Sequence, residues 1–240
     1  MGKRVEVEGN LTVVYYTANV LREPFFTNCR KQLLKAIDGL PLISVSQKPM
    51  MQFGQNICIG DIGKSYLNIY RQMLIGTKEA KTPFVAFAED DTLYPYEHFH
   101  SFLPETNEFG YNLSRWSIYT WLKSPVYSIK FRKVNTCLIA PRDLFIEAIE
   151  ERFAKYPDDS KVDLGCWGEP GRYEKELGVT RRKSTQFMSE VPVISFSHPD
   201  AIGYGIQGKH KATGPIKAYD VPVWGKASDV LERFYNREEN

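Results

Sequence analysis

The chain contains 240 residues with a net charge of +2; 42% of the residues are hydrophobic, 25% are charged and 13% are aromatic. This composition suffices for a sizeable core and excludes disordered, collagen-like and coiled-coil proteins. No apolar run approaches the ~20 residues that span a bilayer. The first ten residues, MGKRVEVEGN, contain no apolar segment of a secretory signal. They also lack a myristoylation signal, which would need Ser or Thr in place of Glu6. We therefore expect a protein of the cytoplasm with no membrane partner and with reduced cysteines.

The first half of the chain alternates between strand and helix patterns. Three continuous apolar runs are typical of buried parallel strands: 11–16, 42–46 and 83–88. One helix is predicted between Pro24 and Gly39, and a second begins after Ser65, whose hydroxyl can cap it. The segment 47–63 is predicted to be a loop. This order predicts an α/β sheet with right-handed crossovers.

The second half has shorter strand patterns. Aromatic and β-branched runs predict strands at 116–121, 126–131, 135–140 and 191–196, the last of which should end the sheet. Helices are predicted at 141–153 and 230–235. Residues 199–218 are rich in glycine and lysine, which predicts a mobile flap.

The most informative motif is Glu89-Asp90-Asp91, directly after the third predicted strand. Adjacent carboxylates repel each other, so three of them at a sheet end cost stability unless a cation neutralises them. Mg²⁺ or Mn²⁺ suits such a site, because these hard ions combine one or two carboxylates with water and substrate phosphate oxygens. The alternative is an acidic helix start or an exposed turn.

Three further polar residues follow the first two predicted strands: Thr17, Asn19 and Gln47. Ligands of open α/β sheets bind beyond the carboxyl ends of the strands, so these residues and the acidic motif are expected to share one site. The glycine-containing loop 60–65 lacks the spacing of a P-loop.

The chain resembles the GT-A glycosyltransferases, which use nucleotide sugars and carry an Asp-X-Asp-type motif. The resemblance rests on LTVVYYTAN, PFVAFAEDDTLY and VPVISFSH, and it covers roughly residues 11–200, although the motif here reads Glu-Asp-Asp. It implies a GT-A-like single α/β domain over 1–240, with a Rossmann-like, mostly parallel sheet flanked by helices and a small β region on the acceptor side. Residues 11–106 would bind the nucleotide sugar, 107–224 would bind the acceptor and include the flap, and 225–240 would form a terminal helix.

The resemblance also implies roles for individual residues. Asp91 becomes the first choice as metal ligand, Glu89 would face the ribose or the metal, and Asp90 stays a candidate. A late histidine often completes the metal shell in this family, which points to His198, with His210 as its competitor.

Other residues are candidates for binding a UDP-sugar at the strand ends. Asp61 could accept a hydrogen bond from uracil or a sugar hydroxyl, and Arg71 could meet the diphosphate. Lys209 and Lys211 could approach phosphate from the flap. The alternative for each is an ordinary loop role.

Glu169, within Cys166-Trp-Gly-Glu-Pro-Gly171, is the candidate general base, because an inverting transferase needs a carboxylate that takes the proton of the acceptor hydroxyl. A neighbouring Trp167 could desolvate Glu169 and could also stack on a sugar or base. Asp163 is the alternative base. Glu169 could instead cap a helix before Pro170.

Charge patterning bears on the acceptor. No acidic residue lies between Glu108 and Asp143, whereas the stretch carries basic residues interleaved with aromatic ones. The basic residues are Arg115, Lys123, Lys130, Arg132, Lys133 and Arg142. This pattern suits a phosphate backbone and an unstacked base, although solvated lysines on an ordinary sheet would look similar.

The compact chain also resembles stand-alone glycosyltransferases of bacteriophages, some of which modify hydroxymethylated pyrimidines in DNA within the host cytoplasm. That resemblance implies a hexose or pentose transferred to 5-hydroxymethylcytosine in duplex DNA, with the base flipped out of the helix. The alternatives are transfer to a glycan or another small acceptor, and a nucleotidyltransferase of related fold. The latter class has a glycine-rich loop after its first strand, where this chain has no glycine between Thr17 and Arg22.

Overall fold

The computed structural model describes residues 6–129, 131–157, 168–199 and 213–236. The first half contains β1 (Leu11–Thr17), α1 (Phe25–Ile37), β2 (Leu42–Ser46), β3 (Gln55–Cys58), α2 (Tyr66–Glu79), β4 (Phe84–Glu89), β5 (Thr92–Leu93) and α3 (Tyr96–His100). The second half contains β6 (Glu108–Asn112), β7 (Arg115–Tyr119), β8 (Tyr127–Ile129), β9 (Leu138–Pro141), α4 (Arg142–Lys155), α5 (Glu174–Leu177), β10 (Lys183–Phe187), β11 (Val193–Ser197), β12 (Ile216–Ala218), β13 (Asp220–Val221), β14 (Gly225–Lys226) and α6 (Ala227–Tyr235). The expected α/β fold, with a mostly parallel sheet, flanking helices and a smaller β region, is confirmed.

The central sheet has seven strands in the order β10-β6-β9-β4-β1-β2-β3. β1 is parallel to β2 on one side and to β4 on the other, and β2 is parallel to β3. All seven residues of β1 are buried, because the strand has neighbours on both edges and helices on both faces. The carboxyl ends of β1, β2 and β4 therefore meet at one edge of the sheet.

Helix α2 lies close against β1 and β2. Ser65 Oγ accepts a hydrogen bond from Asn68 N at 3.1 Å, which confirms the predicted cap. A Cβ atom on Gly76 would lie 2.4 Å from Val14 Cγ1, so glycine allows the helix to approach the strand. Gln72 Nε2 donates to Thr17 O at 2.8 Å, which fixes the helix against the end of β1. Among the described residues, no helix has the length and apolar character required to cross a membrane.

A second sheet stands beside the first, with the order β12-β8-β7-β11-β5. β11 is parallel to β7 and pairs with β5 in the antiparallel direction, where Ser195 lies opposite Thr92. Phe196 N also donates to Asp91 O at 2.8 Å. The end of β11 in this second sheet therefore lies beside the acidic motif that follows β4.

Three local predictions are corrected. The loop predicted at 47–63 contains β3, whose sequence QNIC is partly exposed at the sheet edge and so lacks an apolar pattern. The strand predicted at 191–196 is β11, but it belongs to the second sheet, because a run buried on both faces does not reveal its neighbours. The predicted flap contains β12, which pairs with β8, while residues 200–212 lie outside the described ranges.

His98 is buried in α3 without charge compensation. Its Nδ1 lies 3.2 Å from Asn112 Nδ2, and its ring packs against Tyr94 and Phe99 with centroid distances of 5.3 and 4.7 Å. Burial lowers the pKa of His98 to about 3, from an ordinary value of 6.5. Between pH 6.5 and about pH 3, His98 is therefore neutral in the folded protein but protonated in the unfolded chain.

We expect the free energy of unfolding to decrease as the pH falls through 6.5 toward 3, by up to about 1.4 kcal/mol per pH unit from His98 alone. The check is urea denaturation of the wild type and of His98→Gln at pH 7 and pH 5. The wild type should lose about 2 kcal/mol more than the variant between these two pH values. Equal losses would contradict a neutral, buried His98.

Candidate active site

A cleft of about 410 Å³ lies over the carboxyl ends of β1, β2 and β4. Its other walls come from the N-terminal end of α2, from β7 and β11, and from residues 168–173. Seven of the predicted donor-site, metal-site and general-base residues line this cleft: Thr17, Gln47, Glu89, Asp90, Asp91, Glu169 and His198. The structure therefore brings the acidic motif, Thr17 and Gln47 together in one cleft, whereas Asn19, expected to share it, does not line its wall.

The first two carboxylates of the acidic motif are bound to β1. Glu89 accepts a hydrogen bond from the Tyr16 hydroxyl, and Asp90 Oδ2 accepts one from Thr17 Oγ1 at 2.5 Å. Burial and then the neighbouring Asp91 carboxylate raise the pKa of Asp90 to about 7. Close packing of negative charge at this sheet end is the situation that a cation would relieve.

The third carboxylate faces the late histidine. Asp91 Oδ2 lies 3.2 Å from His198 Nε2, and Asp91 Oδ1 accepts a hydrogen bond from Thr92 Oγ1 at 3.1 Å. His198 is buried against the Phe25 ring, with a centroid distance of 5.9 Å, whereas Asp91 is half-buried. A carboxylate oxygen and an imidazole nitrogen converging on one point fit Mn²⁺ or Mg²⁺. Across the described ranges no three His, Cys, Asp or Glu side chains are grouped to hold a metal, so water and substrate oxygens would supply the other ligands.

Asn19 and Gln47 hold the loops at the donor end of the cleft. Asn19 has a φ of 54°, and its Oδ1 accepts hydrogen bonds from Gln47 N and Lys48 N at 2.8 and 2.9 Å. Gln47 Nε2 donates to Gly63 O at 2.8 Å, and Gln47 Oε1 accepts from Ile62 N at 3.2 Å. Both side chains thus shape the site through backbone groups, and only Gln47 lines the cleft.

Asp61 and Arg71 do not line the cleft. Asp61 Oδ1 accepts a hydrogen bond from Gly63 N at 2.9 Å and closes a turn. Arg71 Nη1 donates to Asn68 Oδ1 at 2.9 Å, and its Nη2 donates to Pro157 O at 3.4 Å. The structure brings neither side chain to the acidic motif.

Glu169 lies in a turn that a buried ion pair holds in place. Its Oε2 is 3.3 Å from Arg172 Nη1. The preceding residue, Gly168, accepts a hydrogen bond from Arg152 Nη1 at 2.6 Å, and Arg152 Nη2 lies 3.2 Å from Glu174 Oε1. Helix α5 begins at Glu174, so Glu169 does not cap it.

Five other candidates lie outside the described residues: Asp163, Trp167, Lys209, His210 and Lys211. Arg172 could not be predicted as part of the site, because a lone arginine after a Gly/Pro turn has no distinguishing pattern. The Arg152–Glu174 pair was also missed, since the two residues lie far apart in the sequence and only the fold joins them.

No protein-family model matches the chain, and no curated protein matches it significantly. Three solved structures with similar architecture are glycosyltransferases. The apo-form glycosyltransferase GlyE of Streptococcus pneumoniae is 10% identical over 73% of this chain and 45% of that chain, with a TM-score of 0.46. A glycosyltransferase involved in the glycosylation of the major capsid of PBCV-1 is 8% identical over 78% of this chain and 92% of that one, with a TM-score of 0.45.

The third is the mannosyltransferase PcManGT from Pyrobaculum calidifontis in complex with GDP-Man and Mn²⁺. It is 12% identical over 81% of this chain and 58% of that chain, with a TM-score of 0.47. The chain therefore spans less than two thirds of the length of GlyE and of this mannosyltransferase. Because all three TM-scores are below 0.5, the function has to be argued from the geometry of the cleft.

Proposed function

We propose that the protein is a metal-dependent, GT-A-type glycosyltransferase that moves a sugar from a nucleotide diphosphate sugar to an acceptor hydroxyl. The observation that carries this proposal is the Asp91–His198 pair, 3.2 Å apart, in a cleft over the carboxyl ends of three parallel strands. Glu169, on the wall of the same cleft, supplies the carboxylate that the transfer needs.

The donor lies over the first half of the chain. Thr17, Gln47 and the N-terminal end of α2 receive the nucleoside, whose base is uracil in this proposal. Asp91 and His198 would hold Mn²⁺ or Mg²⁺, and Glu89 would face the ribose or the metal. When bound, the ion neutralises diphosphate charge and so stabilises the leaving nucleotide.

Glu169 takes the acceptor proton in an inverting transfer. The acceptor oxygen bonds to the anomeric carbon, the bond from that carbon to the diphosphate breaks, and the hydroxyl proton passes to the Glu169 carboxylate. Arg172, 3.3 Å from Glu169, holds that carboxylate toward the cleft. Asp163 remains the alternative base, and Asp61, Arg71 and Lys209 remain proposals for donor contacts outside the described cleft wall.

For the acceptor, the proposal favours 5-hydroxymethylcytosine in DNA over a glycan. The supporting observation is that the acid-free stretch 109–142 contributes Arg115 and Arg132 to the cleft wall. Positive side chains suit a phosphate-bearing polymer, whereas a neutral glycan would need none.

The direct test incubates the protein with Mn²⁺, a panel of UDP-sugars, and either hydroxymethylcytosine-containing DNA or glycoside acceptors. We expect UDP release that requires both Mn²⁺ and one acceptor class, and a hexose or pentose mass added to that acceptor by mass spectrometry. EDTA should abolish both signals, because the diphosphate charge is then unneutralised. Undiminished transfer in EDTA, or no UDP-sugar turnover with any acceptor, would refute the proposal.

A further inference from the structure

Three arginines meet on the cleft wall that carries Glu169, and we name them the arginine cluster. Arg115 comes from β7, Arg132 from the segment between β8 and β9, and Arg172 from the turn before α5. Arg115 is only 7% exposed, and its Nη1 lies 3.3 Å from Ser117 Oγ. Its Nε has no hydrogen-bond partner within the part of the chain that the structure describes.

The cluster carries more positive charge than its surroundings neutralise. Although Arg132 is exposed at the surface, partial desolvation by the surrounding protein, followed by repulsion from Arg115, lowers its pKa, and Arg172 adds to that repulsion. Within the described ranges, the one ion pair made by the cluster joins Arg172 to Glu169. Buried or crowded guanidinium groups without a counter-ion cost free energy.

Two buried arginine side chains outside the cleft are each paired with acidic residues. Arg152 pairs with Glu174 at 3.2 Å, and Arg182 lies 2.8 Å from both Glu147 and Glu151. These pairs hold turns and helices together and leave no charge for a ligand. The contrast indicates that the arginine cluster is compensated by an anion that enters the cleft.

We propose that the arginine cluster binds a phosphate group of the acceptor, next to the hydroxyl that receives the sugar. This inference rests on the proposed function and narrows the acceptor to a phosphate-bearing class, a nucleotide or a nucleic-acid strand. The cluster belongs to the acceptor because Arg172 contacts Glu169, the proposed base, whereas the donor diphosphate belongs beside Asp91 and His198. Guanidinium groups suit phosphate, since their planar donors bind two of its oxygens at once.

The test uses inorganic phosphate as the probe and EDTA in the buffer, so that a metal-dependent donor site does not contribute. Isothermal titration calorimetry should detect phosphate binding to the wild type, and Arg132→Gln should weaken it at least about tenfold. Lys123→Gln is the matched control, because this exposed lysine lies in the same acid-free stretch but not on the cleft wall, and it should leave binding unchanged. Arg132 is exposed, so its replacement should not disturb the fold.

A second titration separates the acceptor from the donor. With Mn²⁺ present, UDP should bind wild type and Arg132→Gln equally. Absence of phosphate binding, phosphate binding that Arg132→Gln leaves intact, or an equal loss of UDP affinity would each overturn the inference. A failure of UDP to bind even to the wild type would instead count against the proposed function alone.

Competition then distinguishes the two sources of phosphate. Displacement of the probe by a mononucleotide indicates a nucleotide-sized acceptor. Displacement by a duplex oligonucleotide that weakens steeply with added salt indicates contacts with a whole strand. Either result supports the cluster as a phosphate site, and displacement by neither would contradict it.

Discussion

Replacing Asp91 by asparagine should reduce metal-dependent sugar transfer roughly a thousandfold, which corresponds to about 4 kcal/mol of lost transition-state stabilisation. The amide matches the carboxylate in size and can still accept the hydrogen bond from Thr92. It lacks the negative charge that a divalent cation requires, however. Asp91 is the carboxylate that lies 3.2 Å from His198 Nε2, so the substitution removes one of the two proposed protein ligands of the metal.

The measurement is the initial rate of UDP release over a series of Mn²⁺ concentrations, with thermal unfolding recorded for each variant. Asp229→Asn is the matched control, since Asp229 is exposed on α6 and does not line the cleft. It should retain the wild-type rate. An Asp91→Asn protein that turns over at the wild-type rate in EDTA would remove the metal from the mechanism.

Replacing Glu169 by glutamine should lower kcat by about 10²- to 10⁴-fold and leave the affinity for UDP unchanged. Glutamine has the shape of glutamate but cannot accept a proton from the acceptor hydroxyl. Its carbonyl oxygen can still meet Arg172, so the turn that carries residue 169 should persist. The effect should therefore fall on the chemical step and not on donor binding.

Single-turnover rates and UDP titrations distinguish these two effects. Glu190→Gln serves as the control, because Glu190 is exposed and outside the cleft. A wild-type rate for Glu169→Gln would reject it as the base and direct the same experiment to Asp163. A parallel loss of UDP affinity would point instead to a collapsed cleft wall.

The central strands could be predicted because their burial leaves a direct mark on the sequence. The runs at 11–16, 42–46 and 83–88 correspond to β1, β2 and β4, which are apolar on both faces. β3 and β10 were missed because they form the two edges of the sheet and are partly exposed, with sequences QNIC and KSTQF. Edge strands depend on their neighbours more than on their own side chains.

The site was predictable to the extent that it follows from strand order. Parallel strands bring their carboxyl ends together, which predicted that Thr17 and Gln47 would lie beside the acidic motif. The Asp91–His198 contact depends on the pairing of β11 with β5, a strand of two residues that no periodicity reveals. Asp61 and Arg71 illustrate the converse. Asp61 binds the backbone of its own loop, and Arg71, on α2, binds Asn68 and Pro157, so neither reaches the acidic motif.

The position of Asp91 and His198 at a junction has a consequence for the whole molecule. Asp91 follows the last residues of β4 in one sheet, and His198 follows β11 in the other. An ion bound by both side chains would connect the two sheets. The affinity of the protein for that ion would therefore depend on how the two sheets are aligned. Repacking around Trp224, in the core beneath the second sheet, could therefore impair catalysis without touching any group that meets the substrate.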